Sequence, residues 1–226
     1  MAGTGGRPRR SGVVSSGPRE EILTVAAALF AEKGFSATRM SEIAEASGLR
    51  QSSIYYWFSS KDQLLRAIME QNRVSLSAAR VLVDRAEPAA ARLYVVLYHD
   101  VVQMCLAPLN FYALEQTAHE QPEEFADFGL DYAELVRLLR DVVAQGVAAG
   151  EFVDVDEEDV VRTALSLTEG TQHRFHAGRG DVADVARRAD AAATMAVSSL
   201  LREPGSLPAV VAAARAGIAG FAATGP

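Results

Sequence analysis

A chain of 226 residues, 49% hydrophobic and 23% charged, with 17 Gly and 8 Pro, lies in the range of ordinary globular proteins and outside that of collagenous, low-complexity or disordered ones. Met1 to Gly17 holds no apolar stretch to act as a signal-peptide core, and no uncharged run reaches about 18 apolar residues, so a cytoplasmic protein without membrane contact is expected. The single cysteine, Cys105, excludes an intramolecular disulfide and leaves no Cys partner for a metal site.

The charge is unevenly spread. Residues 1–66 carry nine Arg or Lys against six Asp or Glu, a balance of +3, whereas the remaining 160 residues carry thirteen against twenty-three, a balance of −10. The net charge of −7 therefore conceals an N-terminal part suited to polyanions and an acidic remainder that is not.

Residues 1–17 are rich in Gly, Ser and Arg with almost nothing to bury, the composition of a flexible basic arm in which Arg7, Arg9 and Arg10 are candidates for DNA backbone or minor-groove contact. Pro18 opens a helix whose Ile22, Leu23, Ala26, Leu29 and Phe30 fall on one face, with Glu20 and Glu21 at the positive end of its dipole and Gly34 as a stop. Thr38 is placed to cap a short second helix, with Met40, Ile43 and Ala44 inward and Gly48 ending it. Leu49 to Phe58 forms a third, on which Leu49, Ile54 and Phe58 lie close to one face while Arg50, Gln51, Ser52, Ser53, Tyr55 and Tyr56 project elsewhere. Two short helices joined by a Gly-containing turn, on a longer support, make the helix-turn-helix arrangement that inserts its second helix into the major groove.

From Ser60 a long helix is expected, capped by Ser59 or Ser60, with Leu64, Leu65, Ile68, Val74 and Leu82 as its buried stripe. The apolar run around Leu93–Tyr98 resembles a strand, yet Leu93, Leu97, Val101 and Cys105 keep a four-residue period and Pro108 closes it, so it reads as helix. Further helices are expected over Phe111–His119, Glu123–Ala149 with a break near Gly129, Glu157–His176, Val182–Arg202 and Pro208–Ala222. No alternating strand pattern survives, so the fold class is all-α.

The stretch RMSEIAEASGLRQSSIYYWFSSKDQLL resembles the DNA-binding domain of the tetracycline-repressor (TetR) family of bacterial transcription regulators. The likeness rests on Ile43-Ala44, the Ser47-Gly48 turn, Tyr55, the Trp57-Phe58 ending and Ser60-Lys61-Asp62-Gln63-Leu64, and it covers residues 18–64. Two positions depart from the family pattern: Arg50 stands where a capping Ser or Thr is common, and Ser52 where Gly or another small residue is. The resemblance implies a helix-turn-helix domain over 18–64 and a helical ligand-binding and dimerisation domain over 65–226. It also implies a homodimer on a pseudo-palindromic double-stranded DNA operator, and a repressor released by a small-molecule effector. A DNA-binding activator or architectural factor controlled by a protein partner is the alternative.

Arg50 has the geometry to donate two hydrogen bonds to a guanine edge, and Gln51 to pair with adenine or reach a phosphate. Ser52, Ser53, Tyr55 and Tyr56 offer hydroxyls to phosphates or base edges. Thr38, Arg39 and Lys61 sit at helix N-termini, where anions are favoured. Trp57 is expected to pack rather than to touch DNA. In the body, Tyr98, Met104, Phe111, Tyr112, Phe128, Tyr132 and His173 are candidates to line a pocket, and the scarcity of inward-facing charge points to a largely apolar ligand.

No cofactor or metal is expected. His173 and His176 with Glu169 have a helical metal spacing but lack further ligands, and Asp154, Asp156, Glu157, Glu158 and Asp159 lack the calcium-loop pattern and instead suit a helix N-terminus. Cys105, His99 and Asp100 lie together without a Gly-rich elbow, so an enzyme is not expected. Small residues at Ala164, Leu167 and Thr171, and at Ala189, Ala192, Ala196 and Ser199, suit close helix packing, either between two subunits or within one.

Overall fold

The computed structural model describes residues 17–70, 73–107, 126–178 and 180–225. These form ten α-helices, two 3-10 turns and, in place of strands, two isolated bridges, Phe152 with Leu201 and Ile218 with Phe221. In chain order the helices are α1 (Gly17–Lys33), α2 (Met40–Ala46), α3 (Gln51–Trp57), α4 (Lys61–Glu70), α5 (Val74–Leu82), α6 (Ala89–Leu106), α7 (Ala126–Ala148), α8 (Glu157–Ala177), α9 (Val185–Ser198) and α10 (Leu207–Ala216). The basic arm and the helix expected over Phe111–His119 lie outside the described residues.

Helices α1 to α4 share one apolar core built from Ile22, Leu23, Ala26, Phe30, Ile43, Ile54, Phe58, Leu64, Leu65 and Ile68. Gly34 at φ +85° and Gly48 at φ +66° make the two turns that let α2 and α3 fold back against α1, a backbone region glycine enters without steric cost. Ser60 caps α4, its hydroxyl oxygen accepting from the Gln63 amide at 3.1 Å while the Gln63 side chain accepts from the Ser59 amide at 2.8 Å.

The single long helix expected from Ser60 is two helices. Leu64, Leu65 and Ile68 belong to the first core and Leu82 to a second, while Val74 is 41% exposed. Arg73, at φ −117° and ψ 19°, stands at the break as the N-terminal flanking residue of α5. One straight helix cannot aim a single stripe at two cores. The division expected after Leu64 accordingly falls inside α4, because the first core runs on to Met69 and the second begins at Leu76.

The second core is organised around α6, whose residues are buried on almost every side by α5, α7, α8, α9 and α10. Arg92, buried on α6, donates to the Leu82, Val83 and Glu87 carbonyls and to the Gln145 side chain at 2.8–3.1 Å. Tyr94 donates to Asp190 at 2.7 Å, and burial pushes its phenol up to about 12. Helix α7 runs without a break through Gly129, and Asp156 caps α8 by accepting from the Asp159 amide at 2.9 Å.

Two other expected helices are shorter than their patterns suggest. The segment from Val182 opens with a 3-10 turn and the α-helix ends at Ser198. At the tail, α10 ends at Ala216, where Gly217 at φ +90° reverses the chain and Ala223 donates back to the Ala214 carbonyl at 2.9 Å. Ala164, Thr171, Ala189 and Ala192 are buried within the single chain, so their small size serves the contacts among α6, α8 and α9.

Candidate DNA-binding surface and the helical body

Helix α3 is held by two buried anchors, Ile54 and Phe58, and by the turn at Gly48. Everything else along it faces outward: Arg50, Gln51, Ser52, Tyr55, Tyr56 and Trp57 are exposed and Ser53 is half-exposed. Arg50 is the N-terminal flanking residue of α3 and makes no side-chain capping bond, so its guanidinium is left for other partners. Trp57 was expected to pack, yet it is 41% exposed and meets the 81% exposed Tyr56 edge to face, with ring centres 5.2 Å apart. The signal for this pair was its position beyond Ile54 on the last turn of the helix, where only Phe58 can reach the core.

Two of the candidate DNA-binding residues are occupied inside the domain. Thr38 is buried, its hydroxyl lying 2.9 Å from the Gly34 carbonyl and 3.3 Å from that of Leu29. The α2 N-terminus is served instead by Glu42, whose carboxylate accepts from the Arg39 amide at 2.9 Å and also meets Lys33 at 2.8 Å. Those two donors hold the Glu42 carboxyl below its ordinary range. Lys61 donates to the carbonyls of Phe35, Ser36 and Thr38 at 2.6, 3.3 and 3.0 Å and lies over the Phe35 ring. It fastens the α1–α2 connection to α4. Arg39 is exposed.

The candidate ligand residues are dispersed. Tyr98 is sealed in the second core, Met104 is buried in the first core as the body's contribution to it, and His173 is on the exposed side of α8. Tyr132 is half-buried, its hydroxyl 3.4 Å from the Glu169 carboxylate. Phe111, Tyr112 and the side chain of Phe128 lie outside the described residues.

Contrary to the expected scarcity of inward charge, the described residues of the body bury a carboxylate, Asp100, as well as the Arg92 guanidinium. Asp100 accepts from Thr168 at 2.7 Å and from Gln103 at 3.2 Å, and Gln103 in turn donates to the Ser75 hydroxyl at 2.7 Å. Burial raises the Asp100 pKa against the opposing pull of these donors. Four residues later Met104 enters the first core, and its carbonyl accepts from His176 Nε2 at 3.0 Å, which places the proton of that ring on Nε2. Cys105 is buried and its thiol is pushed up to about 11, so it stays protonated at neutral pH. Among the described residues no three His, Cys, Asp or Glu side chains converge as metal ligands, and no helix is long and apolar enough to cross a membrane.

Residues 22–68 match the model of bacterial regulatory proteins of the tetR family. The HTH-type transcriptional repressor KstR2 of Rhodococcus jostii is 44% identical over 164 residues, covering 63% of this chain and 72% of that protein. Among solved structures, Mycobacterium smegmatis AmtR superposes with a TM-score of 0.72 at 27% identity, covering 90% of this chain and 95% of that one. The ketosteroid transcriptional regulator KstR2 of Mycobacterium tuberculosis superposes with a TM-score of 0.65 at 24% identity, covering 84% and 97%. The matched residues include the whole of α2, α3 and the turn between them. This chain is a DNA-binding transcription regulator and belongs to the TetR family.

Proposed function

We propose that the protein is a dimeric repressor that binds a pseudo-palindromic operator and is released from it by a small, largely apolar ligand. The observation that carries this reading is the outward face of α3, where Arg50, Gln51, Ser52, Tyr55 and Tyr56 are exposed while Ile54 and Phe58 fix the helix to the core. Arg50 and Gln51 read base edges; Arg39, Ser52, Ser53, Tyr55 and Tyr56 meet the backbone. The dimer reading is supported by Val182 and Met195, 56% and 62% exposed before and along α9. Exposed apolar side chains of that size suit an isologous contact. Of the candidate ligand residues, Tyr132 combines partial exposure with a polar tip beside Glu169, and the ketosteroid regulator among the structural neighbours makes a ketosteroid the first probe.

Selection of bound DNA from a random pool at fixed salt, followed by footprinting, tests the reading. A two-fold-symmetric site with half-sites about 34–36 Å apart is expected; failure to enrich any sequence overturns it. Ligand release is tested on that operator: a saturating, calorimetrically bound effector that leaves operator affinity unchanged removes the inducer from the proposal.

A further inference from the structure

At the N-terminal end of α6, about 21 Å along the helix from Met104 at 1.5 Å per residue, a cleft opens between α6, the turn after α7 and α10. Its volume is about 400 Å³, within the range of roughly 300–1,000 Å³ that small ligands occupy. Ala90, Ala91, Leu201 and Val210 form an apolar floor, each of them buried. The only charged groups lining it are Glu151 and Glu203, and no Lys, Arg or His is among its walls.

The two carboxylates differ in their commitments. Both oxygens of Glu151 accept from backbone amides of α6, from Ala89 and from Ala90, each at 3.0 Å. Glu203 is exposed at the mouth; among the described residues its carboxylate enters no ion pair or hydrogen bond, and only its backbone carbonyl is used, by Ser206 at 2.7 Å. The Glu151 charge is already met by the two α6 amides and by the nearby Arg92 guanidinium, so the uncompensated charge at this cleft is that of Glu203. An anion with an apolar body would face it unpaired, whereas a cation with an apolar body finds a partner for each of its halves.

We propose that this cleft binds a small amphipathic cation, an ammonium or quaternary ammonium carried on an alkyl or aryl body, with its charge at Glu203 and its body on the Ala90–Val210 floor. The site shares no residue with the candidate ligand set and stands independently of the proposed repressor function.

The test is calorimetric titration of the full chain with decyltrimethylammonium below its micelle-forming concentration, and with decanoate as the equal-length anion. Saturable binding of the cation, with decanoate markedly weaker, is expected. Glu203→Gln is expected to weaken it about two- to fivefold, the effect of losing a solvent-exposed ion pair. Ala209→Phe, on the exposed side of α10, fills the cleft and is expected to abolish binding while leaving the thermal melt in place. Absence of cation binding, decanoate binding as tightly, or cation binding that survives Ala209→Phe overturns the proposal.

Discussion

Lys61 shows how one residue type serves two ends. In sequence it stands where a phosphate contact is expected, but its ammonium is shared among three carbonyls of the α1–α2 connection. Lys61→Ala is expected to destabilise the protein by about 1.5–3 kcal/mol, the range for hydrogen bonds to a charged group, and to leave the salt dependence of operator binding unchanged. A salt slope reduced by about one unit would instead place the ammonium on a phosphate. Arg50→Ala should behave in the opposite way, losing about 1–3 kcal/mol at one base position and relaxing specificity there, as competition between single-base operator variants will show; uniform loss would move Arg50 to the backbone. A third residue is defined by what it lacks. A Cβ at Gly146 would lie 2.2 Å from the ring of fully buried Phe152, so Gly146→Ala is expected to cost about 1–3 kcal/mol in urea unfolding through overpacking. Much of that cost should return in the double variant with Phe152→Leu, whose smaller side chain leaves room.

Between elements, the buried Asp100 network joins α5, α6 and α8 close to the point where Met104 crosses into the first core. Burial raises the native pKa of Asp100 above its ordinary value of 3.8. The native state therefore holds that proton more tightly than the unfolded chain, and this contribution to stability is full below the ordinary value and is lost as pH rises through the native one. The stability difference between wild type and Asp100→Asn is expected to move against the wild type as thermal melts are taken from pH 4 to pH 7.5; a difference independent of pH would show that burial leaves the carboxyl unshifted. The helices themselves were largely legible: the four-residue period of Leu93, Leu97, Val101 and Cys105 identified α6, and Gly48 and Ile54 placed the turn and α3. The Asp100 network was not, because Ser75 and Thr168 lie 28 and 68 residues from the α6 residues they bond, Gln103 and Asp100, and each is an unremarkable polar residue in its helix. The break between α4 and α5 escaped for a related reason, since Leu64 and Leu82 continue a helical stripe in sequence while serving different cores. Thr38 and Lys61 read as DNA contacts in sequence because a side chain that meets a carbonyl within its own domain carries the same pattern as one that meets DNA.

Across the whole molecule, the uneven charge sets the positive N-terminal part against an acidic body, so operator affinity should fall steeply with salt while the body contributes repulsion. If Val182 and Met195 are covered by a second subunit, Met195→Glu is expected to convert the dimer to a monomer in sedimentation and to cost the avidity of two half-sites; an unchanged dimer would place the interface elsewhere. The body is also tied end to end by Glu151, which reaches from the turn after α7 to the first amides of α6, 61 and 62 residues earlier in the chain. During synthesis, therefore, the start of α6 waits for its partner: at about 5–20 residues per second its first amides have no such acceptor for roughly 3–12 seconds after they are made. Over that interval the central helix of the body is open at the end that later forms a wall of the cleft, and a nascent chain arrested before residue 151 should be cut there by a protease that leaves the finished protein intact.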